Sequence, residues 1–97
     1  MSKFFLSNKA VVDLSDIWEY TFHKWSEAQA DKYYDMIITS IKLITDHKNL
    51  GKIYFKNEYK IYGFKAGSHI IFYRIIESKD IEVIRILHEK MDYDSRL

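Results

Sequence analysis

The sequence lacks cysteine, and it lacks any apolar run long enough to cross a membrane. Without cysteine, the chain has no disulfide bond, no thiolate nucleophile and no cysteine ligand for a metal. The apolar stretch within residues 1–6 is too short for the core of a signal peptide. A chain of this kind is compatible with a reducing compartment, so we expect a cytoplasmic protein without membrane contact.

A surplus of charge of either sign is also missing. Lys and Arg total 15 while Asp and Glu total 14, which leaves a net charge of only +1. Proteins whose affinity depends on phosphate contacts usually carry a clear basic surplus, because each neutralised phosphate needs a cation. This balance argues against a dedicated nucleic-acid-binding protein.

The composition that is present is typical of one folded domain. The chain has 97 residues, of which 47% are hydrophobic and 16% aromatic. This length suffices for a single two-layer core. No repeat, linker or low-complexity tract divides the sequence, so we interpret residues 1–97 as a single domain.

The strongest strand signal lies in residues 69–76 and 81–88. Both runs are rich in β-branched and aromatic residues, and the four polar residues between them favour a turn. If Ile76 opposes Ile81, alternation places these side chains on one face: Ile70, Phe72, Arg74, Ile76, Ile81, Val83, Arg85 and Leu87. The opposite face is also apolar. Because an antiparallel sheet usually has one dry face, the sequence predicts that the second face needs a cover from elsewhere.

The rest of the chain predicts two helices and two further strands. Residues 3–6 form a short strand, and residues 9–24 form a helix capped by Ser7 or Asn8. The helical stripe includes Val11, Trp18 and Trp25, and both tryptophans are expected to anchor this helix to the sheet or to the second helix. The second helix begins with the capping box of residues 26–29 and fades through residues 45–49. We interpret residues 52–58 as a loop and residues 59–64 as a strand, which predicts an α+β fold of order β-α-α-β-β-β, with a helical hairpin on one face of a mainly antiparallel sheet.

Two motifs near the C-terminus resemble the ParE toxins of bacterial type II toxin-antitoxin systems. They are residues 67–74, Gly-Ser-His-Ile-Ile-Phe-Tyr-Arg, and residues 84–92, Ile-Arg-Ile-Leu-His-Glu-Lys-Met-Asp. Similar residues in the helical half extend the resemblance over nearly the whole chain. It implies a RelE/ParE-type fold, a ParD-like antitoxin that wraps the toxin, and DNA gyrase as the inhibited target. DNA would be contacted only indirectly, through the antitoxin.

The resemblance also implies two sets of site residues. The antitoxin would cover the second sheet face, with Ile70, Phe72, Arg74, Ile76, Ile81, Val83, Arg85 and Leu87 as its contacts. The C-terminal region would contact the target through Arg85, His88, Met91, Tyr93, Arg96 and Leu97. For Arg74 and Arg85 a structural role remains open, in which each pairs with a carboxylate such as Asp92 or Glu89.

Two other functions stay open at this point. The related RelE toxins cleave ribosome-bound messenger RNA, but here Ile70 and Met91 stand where that branch has basic residues. A substitute catalytic set would be Arg74, Arg85, His88 and Tyr93, although we expect no catalytic residues and no cofactor. An inactive family member that only dimerises is the other alternative. His69 and His88 oppose each other in this register without a third ligand, so no metal is expected.

Overall fold

The computed structural model describes residues 3–56 and 60–97, in which two helices pack on one side of a five-stranded sheet. The elements are β1 (Phe4–Leu6), α1 (Asn8–Lys24), α2 (Glu27–Asp46), β2 (Lys52–Lys56), β3 (Lys60–Ala66), β4 (His69–Ile75) and β5 (Ile81–His88). The predicted α+β class and helical hairpin are confirmed. Within the described part of the chain, no helix is both long and apolar enough to cross a bilayer.

One strand was not predicted from the sequence. Residues 52–56 form β2, although the sequence favoured a loop there, and the other predicted loop residues, 57 and 58, lie outside the described residues. A register shift between Ile53 and Phe55 interrupts the pairing of β2 with β3. Such a bulge breaks the alternation of apolar and polar side chains on which strand prediction depends.

The strands are arranged in the order β1-β5-β4-β3-β2. Neighbouring strands are antiparallel except that β1 runs parallel to β5 at the sheet edge. The chain therefore starts at one edge, crosses the sheet through both helices, and then returns strand by strand from the opposite edge. This order places β4 and β5, which carry the two motifs, inside the sheet.

Both helices start at capping residues that the sequence predicts, and of the two candidates for α1 the cap is Ser7 rather than Asn8. The Ser7 hydroxyl accepts a hydrogen bond from the Ala10 N–H at 3.0 Å, and that of Ser26 accepts one from the Gln29 N–H at 3.1 Å. These bonds satisfy backbone donors that the first helical turn leaves free. Because α1 ends at Lys24 and the Ser26 cap starts α2, only residues 25 and 26 connect the helices, which fold into a hairpin.

The helices cover one side of the sheet, which we call the helix side. The buried residues there are Ala10, Leu14, Ile37, Ile41, Ile44, Ala66, Ile71, Tyr73, Ile81, Val83 and Ile86. Two predicted inward positions are wrong, because Val11 and Trp25 are 51% and 69% exposed. Leu14, which the predicted helical spacing also places inward, is buried as expected, and Ala10 rather than Val11 faces the sheet beside it. Trp18 does anchor α1 to α2, since its Nε1 donates to Asp31 at 3.0 Å.

The register of β4 with β5 also differs from the prediction. Ile75, rather than Ile76, opposes Ile81, and a bulge lies between the Phe72–Arg85 and Tyr73–Val83 pairs. Because side chains alternate along a strand, this extra residue places Ile81 and Val83 on the helix side, while Leu87 stays on the opposite side. The single predicted face is therefore divided between the two sides of the sheet.

Tyr73 ties the connection after α2 to the centre of the sheet. Its hydroxyl donates to the Lys48 carbonyl at 2.7 Å and accepts from the Gly51 N–H at 3.0 Å. A Cβ atom at residue 51 would lie 2.6 Å from the same hydroxyl, so only glycine fits there. Burial raises the pKa of Tyr73 above its usual value of 10.0.

Removing this hydroxyl should destabilise the fold. Tyr73→Phe removes the hydroxyl that bonds to the Lys48 carbonyl and leaves the buried Gly51 N–H without this acceptor, which costs about 1–3 kcal/mol of unfolding free energy. Urea denaturation measures this loss. The matched variant Tyr34→Phe, at a tyrosine that is 39% exposed, should lie within about 0.5 kcal/mol of wild type. Equal stability of the two variants would contradict the structural role of Tyr73.

Candidate protein-binding site

The side of the sheet opposite the helices carries a second, smaller core, which we call the tail-side cluster. It consists of Ile70, Phe72 and Leu87, which are 4%, 0% and 2% exposed. Tyr54, Ile61 and Tyr93 pack against it. Tyr93 belongs to the last nine residues, 89–97, which we call the tail. The face that the sequence predicts to be uncovered is thus covered by the chain itself.

Tyr93 closes the tail-side cluster with its ring. The ring centroid lies 5.2 Å from that of Phe72 and 5.9 Å from that of Tyr54, and the Tyr54 and Phe72 rings meet edge to face at 5.2 Å. Its hydroxyl donates to the Glu89 carbonyl. Aromatic contacts at these distances add to the stabilisation from apolar burial. Tyr93 is therefore the anchor that holds the tail on the sheet.

The rest of the tail makes few contacts with the sheet. Where the tail leaves β5, the Glu89 N–H donates to the Ser68 carbonyl at 2.9 Å and the Glu89 carboxylate forms an ion pair with Lys65 at 3.1 Å. That ion pair lowers the pKa of Glu89. The N–H groups of Arg96 and Leu97 donate back to the Tyr93 carbonyl at 3.0 and 2.9 Å, which forms a compact turn.

The predicted target-contact residues of the tail fall into two groups. Met91 and Leu97 are 41% and 37% exposed, and Arg96 is exposed as well. Tyr93 faces inward instead. His88 lies at the end of β5, where its Nδ1 accepts from the Lys90 N–H at 3.2 Å. The outer surface of the tail therefore presents the apolar side chains of Met91 and Leu97 among exposed charged residues, which are Lys90, Asp92, Asp94 and Arg96.

The eight predicted antitoxin contacts do not form one surface. Ile70, Phe72 and Leu87 belong to the tail-side cluster, whereas Ile81 and Val83 lie beneath the helices. Ile76 follows the end of β4, in a turn where its N–H donates to the Asp80 carbonyl at 2.9 Å. Arg74 and Arg85 each pair with a carboxylate of this chain, which agrees with the structural role that the sequence left open for them. The bulge in β5 and the covering tail are the physical reasons for this difference.

The acids that pair with these arginines were not those expected. Arg74 binds Glu82 at 2.7 Å, across the strand pair, with both side chains about one-third exposed. Arg85 binds Asp13 of α1 through two bonds, from Nε at 2.8 Å and from Nη2 at 2.9 Å. The bidentate bonds to Asp13 raise the pKa of Arg85. Neither arginine pairs with Asp92 or Glu89.

Asp13 also accepts a backbone hydrogen bond from the part of β5 that does not pair with β1. Beyond Val83, where pairing with β1 ends, the Ser7 hydroxyl donates to the Ile84 carbonyl at 2.6 Å and the Ile86 N–H donates to Asp13 at 2.9 Å. Arg85 reaches around this edge, and its Nη1 donates to the Arg96 carbonyl at 3.2 Å. Arg85 thus connects α1 to the tail. Sequence reasoning missed this role of Asp13, because nothing local indicates a partner 72 residues away.

A second apolar surface lies between the two helices. It is a groove of about 360 Å³ lined by Leu6, Val11, Leu14, Ser15, Trp18, Glu19 and Tyr34. Val11 and Tyr34 are 51% and 39% exposed along it. The sequence prediction missed this groove because it turned Val11 towards the core. Exposed apolar side chains arranged along helices suit an amphipathic partner segment.

The predicted opposition of His69 and His88 is confirmed, with their ring centroids 5.4 Å apart. The Tyr33 hydroxyl accepts from the Ser68 N–H at 2.9 Å and is hydrogen-bonded to Nδ1 of His69 at 2.7 Å, where the tautomer of the ring sets which group donates. Burial, and then the neighbouring His88, lower the pKa of His69 from 6.5 to about 4. No group of three His, Cys, Asp or Glu side chains suited to a metal occurs in residues 3–56 and 60–97.

Comparison with known proteins gives consistent matches. The family model described as the ParE toxin of the type II toxin-antitoxin system, parDE, matches residues 4–93. Toxin ParE1 of Caulobacter vibrioides is 33% identical over 100 residues, which covers 100% of this chain and 99% of the relative. Toxin ParE1 of Mycobacterium tuberculosis is 31% identical over 96 residues, which covers 99% and 98% of the two chains.

A solved structure shows the same fold. A chain of the chromosomal ParDE TA system from P. aeruginosa superimposes with a TM-score of 0.75 at 17% identity, over 91% of this chain and 96% of that chain. At this low identity the match concerns the fold alone. It agrees with the predicted arrangement of a helical hairpin on a mainly antiparallel sheet.

The pairing of Asp13 with Arg85 should contribute strongly to stability. Asp13→Ala leaves a guanidinium that is only 16% exposed without its carboxylate, so we expect a loss of about 3–5 kcal/mol in urea denaturation. The control is Glu82→Ala, which removes the acid of a pair whose side chains are 35% and 32% exposed. It should cost less than about 1 kcal/mol. Similar losses in both variants would show that Asp13 has no special role.

The lowered pKa of His69 predicts a loss of stability in acid. Because the folded value of about 4 lies below the unfolded value of 6.5, the unfolded chain binds more protons between these limits. The contribution of His69 is therefore complete above pH 6.5 and is lost as the pH falls towards 4. Urea midpoints across this range should fall less in His69→Asn, whose amide oxygen can accept from Tyr33 without titrating. The control is His23→Asn, at an exposed histidine, whose urea midpoints should change with pH as those of wild type do. Identical profiles for all three proteins would refute the prediction.

Proposed function

This chain belongs to the ParE toxin family of type II toxin-antitoxin systems, and from that membership we propose that it inhibits DNA gyrase by binding to it and that a ParD-like antitoxin neutralises it. The observation that carries this proposal is the family match over residues 4–93, together with relatives covered over nearly their full length. Gyrase acts on DNA in the cytoplasm, so the proposed site of action is cytoplasmic. DNA itself is contacted only through the antitoxin.

The outer surface of the tail is the part that we propose for gyrase binding. Met91, Arg96 and Leu97 are exposed there, and Met and Arg are both enriched at protein interfaces. Tyr93 would act as a positioning residue, because its partly buried ring packs against the sheet. Arg85 would support the same segment through its bond to the Arg96 carbonyl. His88 lies at the base of the tail, where it is half-buried.

For the antitoxin we propose contacts with both apolar surfaces. The groove between α1 and α2 would take an amphipathic segment, while Ile70, Phe72 and Leu87 are the buried apolar members of the predicted set that remain on the tail side. Ile81 and Val83 are excluded from this set, because the helices bury them.

The contacts of the candidate catalytic groups favour a binding function over ribonuclease activity. Arg74 is paired with Glu82 and Arg85 with Asp13, while the Tyr93 hydroxyl donates to the Glu89 carbonyl. Ile70 is 4% exposed and fills the tail-side cluster, so it supplies packing at a position where the RelE branch has a cation. Cleavage of RNA would need groups free to move protons and to stabilise a phosphorane. The proposed toxin is therefore not an enzyme.

Gyrase assays with matched variants test this proposal. Purified chain should inhibit supercoiling, and its induction in bacteria without antitoxin should cause DNA-damage signalling while transcripts stay intact. Met91→Asp should raise the concentration needed for half-inhibition by about tenfold or more, since a charge replaces an apolar contact. Leu43→Asp is the control, because Leu43 on α2 has similar exposure, 45% against 41%.

Two results would contradict the proposal. Cleaved transcripts with unaffected gyrase would favour the ribonuclease, and normal growth on induction would favour an inactive family member. Equal effects of Met91→Asp and Leu43→Asp would leave gyrase as the target but would exclude the tail as its contact.

A further inference from the structure

We propose that a pocket at the end of the helical hairpin, where α1 connects to α2, binds a free mononucleotide, with its base stacked on Trp25 and its phosphate held by Lys24. The pocket, which we call the hairpin pocket, has a volume of about 460 Å³. Small-molecule sites commonly measure about 300–1,000 Å³. It shares no lining residue with the groove between the helices. This inference goes beyond the proposed toxin function and does not depend on it.

The end of α1 forms an aromatic wall of the hairpin pocket. Tyr20 and Trp25 both line it, and they are 64% and 69% exposed. Trp25 follows the last residue of α1 and belongs to neither hydrophobic core, so folding gives no reason for a large indole at this position. Every nucleobase has a π-face, and stacking on an accessible aromatic ring is favourable for all of them. The wall therefore suits a planar aromatic ligand.

Lys24 places a cation beside this wall. Its Nζ lies 5.5 Å and 5.9 Å from the ring centroids of Tyr20 and Trp25 and donates to the Tyr20 hydroxyl at 3.2 Å. Within the described chain, Lys24 forms no ion pair, and none of the residues that line the pocket is acidic. An ammonium group is a usual ligand for phosphate, which it binds as a point charge. The pocket thus favours an aromatic ring that carries an anion.

The opposite wall of the hairpin pocket is fixed by the fold. The Tyr33 hydroxyl is hydrogen-bonded to the Ser68 N–H and to Nδ1 of His69, and the rings of Tyr33, His69 and His88 contact one another in series, with centroids 5.5 and 5.4 Å apart. The turn before Ser68 contains Gly67 at a φ of 62°, where a Cβ atom would lie 2.7 Å from the Tyr33 hydroxyl. A wall that is ordered before the ligand arrives lowers the entropy cost of binding.

Three further polar groups line the pocket without a hydrogen bond in the described part of the chain. They are the Ser68 hydroxyl, the Gln29 side-chain amide and Nε2 of His88. Because Nδ1 of His88 accepts from the Lys90 N–H at 3.2 Å, the neutral ring carries its proton on Nε2 and can donate it. The Gln29 amide both donates and accepts, as the edge of a base requires. A ligand would replace water on these groups and would break no bond of the fold.

The charge of the pocket favours a free nucleotide over a nucleic-acid strand. A strand needs a series of cations along its backbone. Among the described residues that line the hairpin pocket, Lys24 is the single lysine or arginine, and the whole chain has a net charge of only +1. One phosphate beside one base is therefore the ligand that matches this site.

NMR titration of the isotope-labelled full chain with AMP tests the inference. The chain has two tryptophans, so it gives two indole N–H signals. That of Trp25 should shift with a Kd below about 1 mM. The signal of Trp18, whose Nε1 donates to Asp31, should stay in place. Adenosine and inorganic phosphate each keep one of the two main contacts, so each should bind at least about tenfold more weakly than AMP.

Variants of the two main contacts provide an independent test by isothermal titration calorimetry. Trp25→Ala removes the stacking surface, and Lys24→Met removes the charge but keeps the length of the side chain. Each should raise the Kd for AMP about tenfold. The matched controls are Tyr34→Ala and Lys42→Met, at exposed positions of α2 outside the pocket, and both should bind AMP like wild type. Trp25 and Lys24 are exposed as well, so their variants should remain folded.

Four results would overturn the inference. They are an unshifted Trp25 signal at millimolar AMP, equal effects of the pocket variants and their controls, adenosine or phosphate binding as tightly as AMP, and tighter binding of a 5′-phosphorylated trinucleotide, which would indicate a strand instead. All of these measurements use the isolated chain without gyrase or antitoxin. Their failure would leave the proposed toxin function intact, and a failed gyrase assay would leave the nucleotide site intact.

Discussion

Both sides of the central sheet bury apolar side chains, yet the two helices of the chain cover only one of them. A short chain has little further mass with which to close the second side. Here it uses the tail, and within the tail a single aromatic ring packs on Phe72 and Tyr54. The position of residues 89–97, and therefore the surface that they expose, follows from the need to bury Ile70, Phe72 and Leu87.

The two sides of the sheet are connected through the edge of β5. Asp13 accepts hydrogen bonds from the Ile86 N–H and from Arg85, and Arg85 in turn donates to the Arg96 carbonyl. Both oxygens of the Asp13 carboxylate accept hydrogen bonds, from the strand edge and from the guanidinium, so its burial leaves no oxygen unpaired. As a result, α1, β5 and the tail share one polar network. A change in any of the three is expected to affect the others.

This arrangement separates stability from recognition. The helix side holds most of the buried residues, and the helices cover it. The tail and the groove between the helices instead present exposed apolar side chains. A toxin that acts by binding needs such surfaces, and a partner that neutralises it needs access to the same region or to a segment that controls it. In the function that we propose, the tail would serve the first purpose, because it carries Met91 and Leu97 on its outer surface.

Local patterns in the sequence were sufficient for the helix starts, the α+β order, the strands β3 to β5 and the family resemblance, because capping and side-chain periodicity depend only on near neighbours. Three features required the folded chain. The bulge in β5 moved Ile81 and Val83 to the helix side, since one extra residue reverses the alternation. Asp13 found its partner 72 residues away, and the tail closed the second side through Tyr93. Both contacts join distant parts of the chain, and neither polarity nor spacing within a segment indicates which distant residue it will meet.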